Sequence, residues 1–191
     1  MASKSRDRMV TSAAHLLGSR GARATSFSEV LTDSRAPRGS IYHHFPDGKR
    51  QLLGEALRRT TEQVLEYQGT CTAKTASGVL EHFVGLFRQA LTSSHCRAGC
   101  PVAGVVLDSY ADEGTLRDIV RHSFRSWVAL LTAQLVTVGI PRRRAHTLAV
   151  TTLASVEGGL ILCRAEGNLE PLNVIVRQLR WLASSSKPKG R

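Results

Sequence analysis

Residues 25–53 read TSFSEVLTDSRAPRGSIYHHFPDGKRQLL and contain two short segments of helical pattern separated by a break. Ser26 and Glu29 have the S-x-x-E spacing of a capping box, in which the side chain of each accepts a hydrogen bond from the backbone N–H of the other. Beyond Ser26 the apolar side chains recur at i, i+3 and i+4, which predicts a helix with one buried face. These side chains belong to Phe27, Val30 and Leu31.

A second short helix is predicted after the break. Polar residues 33–35 end the first apolar stripe, and Pro37 has a fixed φ suited to the first turn of a new helix. At about 100° per residue, Ile41 and Phe45 point inward together. The outer side carries small, polar, basic and aromatic residues, namely Arg38, Gly39, Ser40, Tyr42 and His43. Two helices with so short a break predict a helix-turn-helix.

The outer side of the second helix suits nucleic acid. Arg38 can form a forked pair of hydrogen bonds with guanine or phosphate, and Ser40 can donate to either. Glycine lowers helix stability, so Gly39 indicates that another molecule approaches the backbone closely. An ordinary helical hairpin with a polar exposed face is the alternative. The predicted DNA-binding residues are Thr25, Ser26, Pro37, Arg38, Gly39, Ser40, Tyr42, His43, His44 and Lys49.

The run from Phe27 to Leu53, above all APRGSIYHHFPDGKRQLL, resembles the DNA-binding domain of TetR-type transcriptional repressors. The resemblance implies an all-helical homodimer whose variable C-terminal domain binds a small effector that lowers operator affinity. Arg35 stands where glycine is usual and Pro37 where serine or threonine is usual, which affects the expected base preference. The extra residue in FPDGK, GCPVAGVVLD at 99–108 and VEGGLILCRAEGNLEPL at 156–172 are similar to the LmrA/YxaF-like branch, whose known members control efflux or drug-resistance genes.

The charge of the chain agrees with a polyanionic partner. Residues 1–60 carry 11 Lys or Arg against 5 Asp or Glu, a net of +6, and the rest carry 15 against 10, a net of +5. This balance predicts salt-dependent and partly sequence-independent affinity for DNA, although a solvated charged surface is the alternative. No apolar run approaches the roughly 20 residues that span a bilayer, and MASKSRDRM lacks a signal-peptide core. A cytoplasmic protein with no membrane partner is expected.

The fold is predicted to be all-α, with about nine helices and no alternating apolar pattern that would indicate a sheet. A helix-turn-helix domain of three helices is expected over residues 1–50, and an effector-binding and dimerisation domain over residues 51–191. Helices are predicted near residues 6–18, 49–70, 76–92, 115–138 and 141–162, with a short apolar helix from Pro101 and a last helix after Pro171.

Residues 145–162 are apolar or small on nearly every side, so the helix they form must be covered on every side. A second copy of the chain would cover it, with the last helix joining a four-helix interface across a two-fold axis. A central helix within a monomer is the alternative. The predicted homodimer would bind a pseudo-palindromic operator whose two half-sites lie about one helical turn apart. Its predicted interface contains Leu148, Thr152, Val156, Gly159, Leu160 and Trp181.

The larger domain is predicted to bind a small-molecule effector of unknown identity in a mostly apolar cavity. Aromatic side chains at helical spacing also pack in cores, which is the alternative for each of them. Glu157 is more informative, because a carboxylate in so apolar a helix must find a partner, line a polar cavity, cap a neighbouring helix or lie at the dimer seam. The predicted lining is Phe83, Phe87, Val102, Val106, Tyr110, Trp127, Leu131 and Glu157.

No cofactor or metal is predicted. His95, Cys96 and Cys100 offer at most three ligands and no second pair at zinc-finger spacing. Reduced thiols are expected, and an oxidation sensor at Cys96 or Cys100, in a loop expected to be accessible, is an open alternative. The sequence contains no H-E-x-x-H, G-x-S-x-G or phosphate-cradling glycine loop, so no enzyme is expected. The alternative function is a phosphate-reading, nucleoid-type DNA-binding protein without an effector response.

Overall fold

A computed structural model describes residues 2–108 and 114–184. Within these residues every regular element is an α-helix, which confirms the predicted all-α class. The helices are α1 (Ala2–Ala24), α2 (Phe27–Ser34), α3 (Ser40–His44), α4 (Gly48–Gly69), α5 (Ala76–Ser93), α6 (Pro101–Leu107), α7 (Thr115–Thr137), α8 (Arg142–Glu166) and α9 (Glu170–Ser184). Helix α1 extends beyond the predicted range at both ends, and α8 extends beyond the predicted end at residue 162.

The chain forms two compact units. The first comprises Met1–Gln63 and Gly99–Ser123, and the second comprises Val64–Ala98 and Phe124–Arg191. Helices α4 and α7 therefore each contribute residues to both units, and α6 belongs to the first unit together with α1, α2 and α3. A functional boundary near residue 50 stays a prediction.

The first unit has a core built from one face of each of α1 to α4. Its fully or almost fully buried apolar side chains include Met9, Ala13, Leu17, Val30, Ile41, Phe45, Leu52, Leu53 and Leu57. Two ion pairs join α1 to α4: Arg6 lies 2.6 Å from Glu55, and Arg59 lies 2.7 Å from Asp7. Exposed pairs of this kind contribute little free energy, so burial of the apolar faces supplies most of the stability.

Helix α6 lies against α1 with the two backbones in direct contact. A Cβ atom added at Gly104 would collide with the carbonyl oxygen of Leu17, and one added at Gly18 would collide with the carbonyl oxygen of Gly99. Both colliding groups are backbone atoms, which cannot move without displacing a whole segment. Glycine is therefore required at both positions for this approach.

The second unit has its core between α5, α7, α8 and α9. Phe83, Phe87, Trp127 and Leu131 are buried there. Helix α9 is tied to α5 by Arg180, which donates two hydrogen bonds of 2.6 Å to the Glu81 carboxylate. The aromatic side chains predicted from helical spacing thus form packed core.

Helix α8 corrects the expectation that no apolar run approaches the length of a bilayer span. Among the described helices it alone is long and apolar enough to cross a membrane, by length and composition only. Leu148, Val156 and Leu160 on one of its sides are 5%, 0% and 3% exposed. A buried core helix meets the same criteria, and this side of α8 is packed within the protein.

We predict that Gly104→Ala lowers the free energy of unfolding by about 1–3 kcal/mol, because the added methyl group meets the backbone of α1. Gly69→Ala is the matched control, since an added Cβ there meets no atom of the described chain within 4 Å. Urea unfolding followed by circular dichroism measures both variants. Equal stability of the two variants would contradict the close contact between α1 and α6.

Candidate DNA-binding site

The predicted capping box is confirmed at the start of α2. The Ser26 hydroxyl accepts a hydrogen bond from the Glu29 N–H at 3.2 Å, and the Ser26 N–H donates to the Glu29 carboxylate at 3.2 Å. The hydrogen bond from the Ser26 backbone holds the pKa of Glu29 below its ordinary value of 4.5, and Arg20 lowers it further. These contacts fix the direction in which α2 leaves α1.

The turn between α2 and α3 differs from the prediction. Arg35 caps α2 in the left-handed conformation, with φ 52°, at the position where the resemblance leads one to expect glycine. Helix α3 begins at Ser40 rather than at Pro37, so the expectation that Pro37 lies in its first turn is wrong. Instead the Pro37 carbonyl accepts hydrogen bonds from the Ser40 N–H at 3.0 Å and the Ser40 hydroxyl at 2.7 Å.

Helix α3 divides into the two sides that the sequence predicts. Ile41 and Phe45 are completely buried, whereas 71% of the Tyr42 surface is exposed. The Tyr42 and Phe27 rings pack edge to face, with the ring centroids 5.5 Å apart. The outer side also exposes Pro37, Arg38, Gly39 and His43.

Gly39 has no intramolecular requirement for glycine. Its φ of −73° is accessible to any residue, and a Cβ added there would meet no atom of the described chain within 4 Å. An exposed helix end normally favours a residue with a capping side chain. The open space beside Gly39 is therefore what a close approach by a second molecule requires.

Two predicted contact residues have partners inside the first unit. Thr25 is 1% exposed and its hydroxyl donates to the Gly21 carbonyl at 2.7 Å, which corrects the prediction that its side chain contacts DNA. Lys49 is half-buried, and its ammonium donates to the Arg23 carbonyl at 3.3 Å. Burial lowers the pKa of Lys49, an effect partly offset by the carboxylates of Asp108 and Glu29.

The end of α1 is held by these residues together with α6. Helical geometry breaks at Gly21, where φ is 82°, and the N–H of Arg23 donates to the Asp108 carboxylate at 2.7 Å. Lys49 satisfies the neighbouring Arg23 carbonyl. Sequence reasoning missed Asp108, because it is 85 residues from Arg23 in the chain and no local pattern connects them.

The predicted effector residues do not form one site. Phe83, Phe87, Trp127 and Leu131 are packed in the second unit, Val102 is buried in the first, and Val106 is 46% exposed. Tyr110 lies outside the described residues. Among the described residues of the predicted set, only Glu157 lines the groove between α7 and α8, which has a volume of about 870 Å³.

The predicted dimer residues of α8 lie on its inner side. Leu148, Thr152, Val156 and Leu160 are at most 5% exposed within one protomer, and Gly159 packs against Ile175. This assignment is wrong because it chose the side of α8 that faces its own core. Trp181 alone of the predicted set is exposed, with 62% of its surface accessible.

The cysteine loop is also corrected. Cys96 and Cys100 are only 8% and 6% exposed, so both thiols are buried although the loop exposes His95 and Arg97. His95 and Cys96 both have positive φ values, and the resulting turn directs the Cys96 N–H to the Leu91 carbonyl at 2.8 Å. In the part of the chain that the structure describes, no three or more His, Cys, Asp or Glu side chains are grouped to hold a metal.

Two family models cover most of the described chain. Residues 10–56 match that of the bacterial regulatory proteins of the tetR family, and residues 76–178 match that of the C-terminal domain of LmrA/YxaF-like transcriptional regulators. The chain belongs to the TetR family of bacterial transcriptional regulators. It is therefore a DNA-binding regulator rather than an enzyme, with a C-terminal domain of the LmrA/YxaF-like type.

Relatives of similar length support this membership. An HTH-type transcriptional regulator of Mycobacterium tuberculosis, strain H37Rv, is 39% identical over 96% of each chain. The HTH-type transcriptional regulator LmrA of Bacillus subtilis is 25% identical over 88% of this chain and 90% of its own. A TetR transcriptional regulator from Legionella pneumophila has the same fold, with a TM-score of 0.82 at 21% identity over 94% of this chain and 96% of its own.

We predict that the capping box makes the TetR-family DNA-binding helices sensitive to acid. Ser26→Ala lowers the free energy of unfolding by about 1 kcal/mol at neutral pH, because an orphan amide loses its acceptor.

The lowered pKa of Glu29 means that its ionised form stabilises the fold above pH 4.5, and that this stabilisation is lost as the pH falls through the folded-state pKa. The stability difference between the parent chain and Glu29→Gln should therefore be smaller below the folded-state pKa of Glu29 than at neutral pH. Thermal unfolding of both proteins at neutral pH and at that acidic pH measures this difference. A difference independent of pH would contradict the role of the carboxylate.

We predict that Gly39→Ala weakens DNA binding without lowering thermal stability. The added methyl group has open space within the protein, and the φ of −73° is accessible to alanine. A surface that meets DNA at this point would lose affinity by about tenfold or more. Gel-shift titration and thermal unfolding of the same preparation separate the two effects. Unchanged DNA affinity would remove Gly39 from the binding surface.

Proposed function

We propose that this TetR-family protein is a homodimeric repressor that binds a palindromic operator and is released by a small lipophilic or aromatic effector. The observation that carries the DNA-binding part is the two-sided α3, with Ile41 and Phe45 buried and Tyr42 exposed. An aromatic side chain held 71% exposed on a helix of the first unit has no use in the core. The proposed site of action is the cytoplasm.

The proposed DNA contacts divide by chemistry. Arg38 is exposed in the turn just before α3 and provides the forked donor that guanine or phosphate accepts. Tyr42 and His43 carry polar tips suited to phosphate oxygens. Gly39 lets the groove wall reach the backbone. Pro37, Ser40 and His44 complete the surface by shaping and flanking the turn. Ser26 and Lys49 support it indirectly, because Ser26 caps α2 and Lys49 binds the Arg23 carbonyl.

The proposed dimer uses the outer sides of α8 and α9. Its exposed apolar side chains include Ile161 at 57%, Leu162 at 51%, Val174 at 43% and Trp181 at 62%. Beside them Gly158 has no atom of the described chain within 4 Å of an added Cβ, which leaves room for another helix. A self-complementary face of this kind suits a two-fold axis. It replaces the buried face that the sequence suggested.

The proposed effector response is supported by the groove between α7 and α8. Its volume of about 870 Å³ lies in the range of small-molecule sites. The lining is mostly apolar, as a lipophilic ligand requires. A phosphate-reading protein without effector response is the alternative, favoured by the net charge of +11.

We predict that Arg38→Ala weakens binding to the operator by about tenfold or more while binding to random duplex falls much less, because only the operator offers the matching base edge. Lys49→Ala should weaken both alike, and should also lower thermal stability because the Arg23 carbonyl loses a donor. The operator is first selected from genomic fragments, and gel shifts then compare it with random duplex at fixed salt.

Equal losses on the two duplexes for Arg38→Ala would remove its base-reading role. Equal affinity of the parent chain for operator and random duplex would favour the nucleoid-type alternative.

We predict that Ile161→Asp converts the dimer to a monomer, because the charge would be buried at the two-fold face. Ala90→Asp on the exposed side of α5 is the matched control and should leave the dimer intact. Sedimentation velocity measures the mass of both variants. A parent chain that sediments as a monomer, or an Ile161→Asp variant that stays dimeric, would contradict the proposed interface.

A further inference from the structure

The groove between α7 and α8 is long and has an apolar floor. Residues 138–141 connect the two helices, so α7 and α8 run antiparallel. The α8 lining extends from Arg142 to Glu157, which corresponds to about 22 Å along a helix. The apolar lining consists of Phe124, Val128, Ala129, Ala133, Val136, Val150, Leu153 and Ala154.

Basic side chains border this floor. Arg142 and His146 lie one helical turn apart at the end near the α7–α8 connection, and Arg125 lies toward the other end. All three are exposed, and none of them forms a hydrogen bond or an ion pair within the described part of the chain. Glu157 supplies the one carboxylate of the lining, at the end away from Arg142. The groove therefore has an excess of basic groups over an apolar surface.

The combination restricts the chemistry of the ligand. An apolar body is needed to cover the floor, since a hydrophilic polyanion would leave that surface in contact with water. An anionic head group is needed at one end, since the Arg142 guanidinium would repel a cation and attract an anion, with His146 beside it as a hydrogen-bonding group. A length on the order of 20 Å favours an extended molecule over a compact one.

We propose that the α7–α8 groove binds an amphiphile with one elongated apolar body and an anionic head group. The head group contacts Arg142 and His146, and the body lies along Val136, Val150 and Leu153. This inference names the ligand class for the proposed effector and rests on the proposed function in that respect. Binding is measured without DNA, so the groove can be tested even if release from the operator fails.

The first experiment compares three probes of equal chain length against the full chain: dodecanoate, dodecanol and dodecylamine, each below its micelle concentration. Isothermal titration calorimetry gives the affinity and the number of molecules bound. The expected order is dodecanoate tightest, dodecanol weaker and dodecylamine weakest. Equal affinities, or no binding of dodecanoate, would overturn the proposal.

Groove-filling variants test the location. Ala133 is exposed in the groove, so Ala133→Trp should abolish or weaken dodecanoate binding by at least about tenfold. Ala90→Trp, on the exposed side of α5, is the control and should bind as the parent chain does. Equal affinities of the two variants would place the ligand elsewhere. A change of oligomeric state in Ala133→Trp alone would instead identify a second copy as the occupant and overturn the proposal.

Charge variants test the head group. Arg142→Gln should weaken dodecanoate binding by about fivefold and leave dodecanol unchanged, because an exposed charge contact contributes modestly. Arg143→Gln removes the same charge from the neighbouring position outside the groove and is the control. Equal effects of the two variants would mean that the net charge, and not the groove, selects the anion.

A gel shift with added dodecanoate then tests whether binding in the groove also releases the protein from its operator. Binding that depends on Ala133 and Arg142 but leaves the operator complex intact would uphold the groove and refute its role as the effector site. Release of the operator complex by dodecanoate in the Ala133→Trp variant as well would overturn the groove as the site through which it acts.

Discussion

The orientation of α3 depends on the burial of Ile41 and Phe45. A helix of five residues, Ser40–His44, is far too short to be stable in water on its own. Ile41 within it and Phe45 directly after it are completely buried and fix it against the core, and the Pro37 carbonyl closes the turn before it. Because those anchors occupy one side, Tyr42 and Arg38 are directed outward. The chemistry of the proposed DNA-binding surface is thus a consequence of how the inner side packs.

The support for that surface comes from distant parts of the sequence. Helix α6 belongs to the segment that matches the LmrA/YxaF-like C-terminal domain, yet it packs in the same compact unit as α1. Glycines at positions 18 and 104 allow the backbones to touch, and Asp108 binds the end of α1 through the Arg23 N–H. A segment of the C-terminal domain by sequence therefore belongs structurally to the DNA-binding helices.

Sequence reasoning succeeded where local pattern determines structure. The capping box and the inward side of α3 require only residues a few positions apart. It failed for Thr25, whose hydroxyl donates to the Gly21 carbonyl at the break in α1. It also failed for the start of α3, where Pro37 closes a turn instead of opening a helix.

Helix α8 shows a different limit of the sequence. Its apolar residues surround the helix, so periodicity could not distinguish the side that faces the core from the side that faces outward. Leu148 and Ile161 are equally apolar, yet they are 5% and 57% exposed. The groove was missed for a related reason, since it is created by the relative position of α7 and α8 rather than by either helix alone. Both features depend on packing between elements.

The left-handed backbone at Arg35 has a consequence for the turn it caps. A non-glycine residue in this conformation costs about 1 kcal/mol relative to the right-handed one. The protein tolerates that cost and in return gains a guanidinium on the solvent side of the bend between α2 and α3. Positive potential thereby extends from the start of α3 back over the bend that precedes it.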